Sequence, residues 1–290
     1  MKLGEYDISN PYDATLVATE RITSGNSDAE VRHLTLSLPE EDFDFVEGQS
    51  IGILVPGPHE FGNQYHLRLY SIASTRAGSL HGEPDAGQTI DICVRRCFYI
   101  DEVSGESYPG VASNFLCDAQ PGDKILITGP YGAHFHLPLD DTSNILMVGV
   151  GTGIAPFRAF VRHIYEERGG WLGQVRLYYG ARSGTELLYM NDKKRDLANY
   201  YDNRTFRAFE AVSPRPYFDE PPAIEALLDQ HRSEIWEMIQ DKKTYVYLAG
   251  LVQSAEQFQK AMSKFAGSDE AWLAKKQELI EQGRYAELLY

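Results

Sequence analysis

The sequence predicts two domains of different class: an antiparallel β domain over residues 1–138 and a doubly wound parallel α/β sheet over 139–290. Three observations carry this expectation. The chain has 290 residues, more than the roughly 100–200 that one domain usually takes. The first half is a series of short apolar or alternating runs separated by Gly, Pro, Asp and Asn clusters, the signature of a barrel or sandwich. From Asn144 onward, strand-like and helix-like segments alternate, which implies a parallel sheet covered on both faces.

Taken in order, the first-half strands are "ATLVATERIT", "VRHLTLSL", "SIGILVPG", "RLYSIAST", "TIDICVRRCFYI" and "DKILITGPYG". "RAGSLHGEPDAGQ" reads as an exposed hairpin connection, and "GVASNFL" as a turn into a short helix. The step between domains lies near "HLPLDDTSN". The second half then offers the strand "NILMVGVG" and the amphipathic helix "APFRAFVRHIYEERGG". The strand "VRLYYGAR", the helix "LLYMNDKKRDLANYY" and the strand "FRAFEAVS" follow. Last come the helix "PAIEALLDQHRSEIWEMIQ", the strand "TYVYLAGL" and the helix "SAEQFQKAMSKFA".

Composition narrows the function classes. The net charge of −15 disfavours non-specific nucleic-acid binding and attraction to anionic membranes. Apolar runs such as "NILMVGVGTGIA" are broken by glycines and fall short of the ~20 apolar residues of a membrane span. The start "MKLGEYDISN" lacks an apolar signal region, so a cytoplasmic protein without an integral membrane segment is expected. Three cysteines, Cys93, Cys97 and Cys117, fit a reducing compartment, with no disulfide framework and no metal site. His134 and His136 flank Phe135 with no visible third ligand.

Two groups of residues point to nucleotide chemistry. In the second half, Gly151, Thr152 and Gly153 of "GVGTGIAP" sit at a strand-to-helix turn. Backbone N–H groups can approach a phosphate there, aided by the helix dipole. The motif is not a GxxxxGK[ST] loop. Later strand ends deliver Arg182, Ser213, Arg215, Gly250 and Leu251, and an arginine at such a rim can hold a phosphate bidentately. A solvated loop arginine is the plain alternative for Arg182 and Arg215. In the first half, Arg68 and Tyr70 share a strand face, and "CVRRCFY" adds Cys93, Arg95, Arg96 and Tyr99. Ser113, at the start of the short helix, is placed to contact an anion. Together these suggest two nucleotides held by two domains.

"RLYS", "CVRRCFY", "GVASNFLCDAQPGDKILITGPYG", "GTGIAPFRAF", "LLY", "TYVYLAGL" and the terminal tyrosine together resemble plant-type ferredoxin–NADP⁺ reductase. A reductase component of a multicomponent oxygenase, such as that of benzoyl-CoA epoxidase, shares the module. The resemblance implies an FAD-binding antiparallel β-barrel followed by an NADP(H)-binding domain. It implies that Arg68 binds the FAD phosphates, with Leu69 beside it. Tyr70 would pack on the flavin ring and Ser71 would lie by the flavin N5. Cys93 and Arg95 would sit near the cofactor, and Tyr99 would stack on its adenine. Gly110, Val111, Ala112 and Ser113 would line the pyrophosphate turn. Gly151, Thr152 and Gly153 would border the nicotinamide, and Tyr290 would cover the flavin until nicotinamide replaces it. Arg182, Ser213 and Arg215 would meet the 2′-phosphate, and Gly250 and Leu251 the adenine side. Tyr70, Ser71 and Tyr290 are thus the expected catalytic residues. The implied partner is a ferredoxin or another small electron-transfer protein, or an oxygenase component. A docked subunit with weak nucleotide use is the non-enzymatic alternative. Three features depart from the family pattern: Ala249 stands in place of cysteine, Leu288 in place of glutamate, and Pro214 separates Ser213 from Arg215 in the 2′-phosphate motif, with acids following. Glu287 would point to the opposite side of an extended tail.

Overall fold

Alternating apolar residues in the first half form six strands: β1 (Tyr12–Arg21), β2 (Val31–Ser37), β3 (Ser50–Pro56), β4 (Tyr65–Ser71), β5 (Thr89–Arg95) and β8 (Lys124–Tyr131). Between the last two lie a ribbon, β6 (Phe98–Ile100) and β7 (Ser107–Pro109), and a helix, α1 (Val111–Asp118). This computed structural model describes residues 3–38, 43–59, 62–78, 88–101, 103–132, 134–200, 205–214 and 223–290. Most of the expected hairpin connection at 76–88 and all of Arg215 lie outside the described residues. The six strands follow the order β4-β3-β8-β1-β2-β5, and every adjacent pair is antiparallel. The sheet's two ends meet just beyond β4, where Ile72 bridges Ile92 and the Ala73 N–H donates to Asp91 O at 2.7 Å.

Strand periodicity sends Leu34, Leu36, Ile51, Ile53, Ile90, Ile92, Ile125 and Ile127 into one buried cluster. Burial of each such side chain contributes about 1.5–3 kcal/mol. Ala112, Leu116 and Cys117 of α1 join the same cluster, so its apolar face fixes where the helix begins.

The chain divides into two compact units, Met1–Ala133 and His134–Tyr290. Phe135 explains why the second begins ahead of residue 139: it is 2% exposed and its ring lies 5.2 Å from that of Tyr247. The second unit holds β9 (Asn144–Val150), α2 (Ile154–Arg162), β10 (Val175–Ala181), β11 (Phe206–Val212), α3 (Ile224–Gln230), α4 (Arg232–Gln240), β12 (Thr244–Gly250), α5 (Val252–Ala266), α6 (Asp269–Glu281) and β13 (Tyr285–Leu289). Its sheet order is β11-β10-β9-β12-β13, parallel throughout.

Four elements differ from expectation. The single strand over 89–100 is two, β5 and β6, interrupted at Arg96 and Cys97, where Arg96 N still donates to Glu30 O at 2.9 Å but the Ser113 hydroxyl takes the Cys97 N–H. Over the described residues 187–200 of the expected helix 187–201, turns and a 3-10 segment, Asp196–Tyr200, take its place. Asn191 Oδ1 accepts from the N–H groups of Lys193 and Lys194, and Tyr189 has φ 62°. This local bonding competes with a helix. The single helix over 222–240 is two, α3 and α4, broken at His231 with φ −108° and ψ 19°. Helix α6 is additional; Ser268 Oγ caps it by accepting from Ala271 N at 3.2 Å. Preceding it, α5 stops at Gly267, whose φ of 90° favours glycine.

Candidate functional site

In the first unit, pairing with β3 sets the face of each residue in β4. Arg68 lies opposite Ile53, Tyr70 opposite Ile51 and Ser71 opposite Ser50. Arg68 is exposed, and its Nη1 donates to Leu67 O at 2.8 Å. Tyr70 is half-buried against the barrel core. Burial pushes its phenol well up; the neighbouring Cys97 and Cys117 thiols add to this and Arg68 opposes it. Tyr70 is therefore a neutral ring at any physiological pH. Leu69 is half-buried, as is Ser71, whose Oγ lies 3.5 Å from Ser50 Oγ. On β5, Cys93 is 5% exposed and lies opposite His33.

The structure separates two adjacent arginines. Arg96 is committed: Nε donates to Glu30 at 2.7 Å, Nη1 to Asn114 at 2.9 Å and Nη2 to Asp118 at 2.7 Å. Burial pushes the Glu30 carboxyl up, but bonds from Arg96 and Arg32 outweigh it and hold the group below the usual carboxylate range. Asn114 Nδ2 in turn donates to Cys97 O at 2.8 Å and Gly110 O at 2.9 Å. Arg96 thus clamps α1 to β5. Arg95 is exposed and has no ion pair among the described residues.

Helix α1 starts at Gly110, with no side-chain cap and no acidic residue in its first turn. Its first N–H groups lack intrahelical partners and make an anion site with the dipole. A Cβ on Gly110 would come within 3.0 Å of Ser113 Oγ and 3.2 Å of Cys97 O. The Ser113 hydroxyl accepts from Cys97 N at 3.1 Å and donates to Gly110 O at 3.3 Å. Its hydroxyl is thus committed to the backbone, and the N–H groups of the first turn, at Val111, Ala112 and Ser113, are left as the donors that the helix start offers. On the ribbon, Tyr99 and Tyr108 stand directly opposed, their rings stacked with centroids 5.5 Å apart; Tyr99 is 57% exposed. An uncommitted guanidinium, an uncapped helix start and exposed stacked rings match the donor chemistry of FAD: cations and N–H groups for a diphosphate, an aromatic face for adenine.

In the second unit the connection order reverses between β9 and β12, which are neighbours in the sheet. Such a switch point, beyond the carboxyl ends of the strands, is where doubly wound sheets bind ligands. Gly151, Thr152 and Gly153 follow β9, while Gly250 ends β12 and Leu251 follows it. The two turns touch: a Cβ on Gly153 would lie 2.2 Å from Ala249 O, and one on Gly250, whose φ is 124°, 2.6 Å from Val150 O. Thr152 Oγ1 bonds the Tyr290 hydroxyl at 2.5 Å, and Tyr290 N donates to Gly250 O at 3.1 Å. The terminal ring, 60% exposed, is therefore tied to the glycine turn. Arg182 and Ser213 come together at the ends of β10 and β11, where Ser213 N donates to Ala181 O at 3.2 Å; Ser213 is 5% exposed.

Along β13, Leu288 pairs with Ala249. Glu287 projects to the other face and accepts from Tyr285 at 2.5 Å, Lys276 at 2.9 Å and Gln259 at 3.2 Å. It anchors the strand instead of facing Thr152.

Sequence reasoning missed two tyrosines. Tyr108 doubles the ring of Tyr99; its place in "ESYPG", two residues before Gly110, was the available signal. Tyr179, 0% exposed, donates to Gly151 O at 2.9 Å and braces the glycine turn; beside Tyr178 in the same strand nothing distinguished it.

Residues 147–260 match the family model described as "Oxidoreductase NAD-binding domain". The chain is 37% identical over 265 residues to the cyanelle ferredoxin–NADP reductase of Cyanophora paradoxa, covering 89% of this chain and 70% of the relative. It is 34% identical to a ferredoxin–NADP reductase of Spirulina sp, covering 97% and 95%. The solved ferredoxin–NADP⁺ reductase of Plasmodium falciparum superposes with a TM-score of 0.74 at 22% identity, covering 99% and 98%.

Proposed function

The chain belongs to the ferredoxin–NADP reductase family, and from that premise we propose that it passes electrons between NADP(H) and a ferredoxin. It is an FAD-dependent oxidoreductase that uses NADP(H). FAD, when bound, supplies the exchange between two-electron nicotinamide chemistry and one-electron steps. Arg68 and Arg95 take the FAD diphosphate together with the N–H groups of Val111, Ala112 and Ser113. Tyr99 and Tyr108 receive the adenine. Tyr70 packs on the flavin ring, and Ser71 presents its hydroxyl there. In the second unit, Gly151, Thr152 and Gly153 leave backbone room for the nicotinamide end, with Gly250 and Leu251 beside them. Tyr290 holds that place through Thr152 until the nucleotide arrives. Arg182 and Ser213 receive the 2′-phosphate, with Arg215 from outside the described residues. Glu287, held by three donors, does not relay a proton. The observation that supports this reading most is the uncommitted Arg95 beside the committed Arg96, at an uncapped helix start.

The relatives' names favour ferredoxin over an oxygenase component as the partner. Residues 1–133 carry eight Lys and Arg against twenty Asp and Glu, and the rest nineteen against twenty-two. A partner docking on the first unit therefore has a neutral or basic face, because like charges repel. No helix among the described residues is long and apolar enough to cross a membrane. The test is NADPH-driven reduction of [2Fe–2S] ferredoxins by the FAD-loaded protein across a salt series. Ferredoxin reduction is expected, and with an acidic ferredoxin the rate rises with salt as repulsion is screened. Flavin reduction without onward transfer to any ferredoxin would reject the partner assignment.

A further inference from the structure

We propose that Asp91 is a positioning residue for the flavin, acting through the segment Ser71–Ser74; this rests on the reading that Tyr70 and Ser71 face the ring. Asp91 lies on β5 and is 0% exposed. Its backbone and side chain meet neighbours on both sides. The Ala73 N–H donates to Asp91 O at 2.7 Å, and the Asp91 N–H donates to Ser74 Oγ at 2.9 Å. Thr35 Oγ1 of β2 donates to Asp91 Oδ1 at 2.8 Å, and His33 Nε2 lies 3.4 Å from Oδ2. His33, Thr35 and Ser74 are 3%, 1% and 0% exposed.

These bonds lie where the two ends of the barrel sheet meet. Strand β4 is an edge in the ladder order, and beyond Ser71 its chain turns from β3 to β5. Ile72 N still donates to Gln49 O at 2.9 Å, while Ala73 already bonds Asp91. The direction in which Ser71 leaves the sheet is therefore set by the clasp at residues 73 and 74. A buried carboxylate is costly unless it is given donors, and an apolar side chain of similar size would pack as well. Here the carboxylate ties β5 to Thr35 of β2, with the His33 ring 3.4 Å away, so that the β5 backbone can hold Ala73 and Ser74 in one place. Its contribution is to orient Tyr70 and Ser71; it touches no part of the cofactor itself.

The test uses full-length, flavin-loaded Asp91→Asn and Ser74→Ala proteins, with Arg68→Ala as the control for the site. FAD release on dilution is followed by recovery of free-flavin fluorescence, and the visible flavin band is recorded. Binding of 2′-phospho-AMP reports on the second unit. Both variants are expected to raise the FAD dissociation constant about tenfold and to shift the flavin band, with 2′-phospho-AMP affinity unchanged. If Asp91→Asn fails to fold, Ser74→Ala, which removes only a hydroxyl, carries the test. Wild-type FAD retention and an unshifted band in a folded variant, with Arg68→Ala releasing FAD, overturn the inference alone. Full FAD retention by Arg68→Ala overturns the site reading and the inference with it.

Discussion

Arg95 and Arg96 are neighbours in sequence with opposite expected consequences on removal. Arg96→Ala deletes three bonds from a guanidinium that is 18% exposed. The pair with Glu30, itself 20% exposed, is a charge-assisted bond worth about 1.5–3 kcal/mol. The Asn114 bond adds about 0.5–1.5 kcal/mol. Asp118 is 69% exposed, and its contribution is screened to about 0–1 kcal/mol. Glu30 keeps Arg32 at 2.6 Å, which softens the loss. The expected cost is about 2–3 kcal/mol, or a drop of roughly 5–10 °C in the melting temperature of the first unit. Arg95→Ala leaves that stability unchanged but weakens FAD binding about tenfold or more, as loss of a cation from a diphosphate does. Thermal unfolding of the flavin-free variants measures the first effect, and flavin-fluorescence titration the second. A destabilised Arg95→Ala beside an unperturbed Arg96→Ala would refute the assignment of the two roles.

Other expectations follow from single contacts. Gly153→Ala places a Cβ 2.2 Å from Ala249 O, a backbone atom that cannot yield; NADP⁺ affinity should fall more than about tenfold, with FAD content unchanged in the absorption spectrum. Tyr290→Ser removes the partner of Thr152 and should tighten NADP⁺ binding while leaving 2′-phospho-AMP, which lacks nicotinamide, unaffected by calorimetry. The Glu30 carboxyl is held low in the folded state, so its stabilisation is present above the unfolded glutamate value of about 4.3. That stabilisation is lost as pH falls through the lower folded value. FAD release during acid titration should accordingly steepen below about pH 4, and Glu30→Gln should flatten that part of the curve.

The legible parts of the fold were those with one strong period. Strands β2, β3 and β5 alternate, and β9 and β12 are continuous apolar runs closed by glycine. The segment 187–201 has helical composition, yet Asn191 bonds its own following backbone. Helix α6 buries only Trp272 and Leu279 fully, too thin an apolar stripe to read, although Ser268 marked its start. At the candidate site, the strand carrying "RLYS" and the strand-to-helix turn at "GTG" were legible from local sequence alone. Which of two adjacent arginines is committed was not legible. The partners of Arg96 lie 66, 22 and 18 residues away, and only the closed barrel brings them together. The side of β13 taken by Glu287 was legible from alternation alone, whereas its three donors come from α5, α6 and the strand itself.

The central claim is that this chain moves electrons between NADP(H) and its own FAD. Stopped-flow mixing of the FAD-loaded protein with NADPH or NADH, followed at the flavin band, tests it most directly. Rapid bleaching by NADPH, faster than by NADH at equal concentration, is the expected result. A fully loaded flavin that neither nucleotide bleaches would contradict the account.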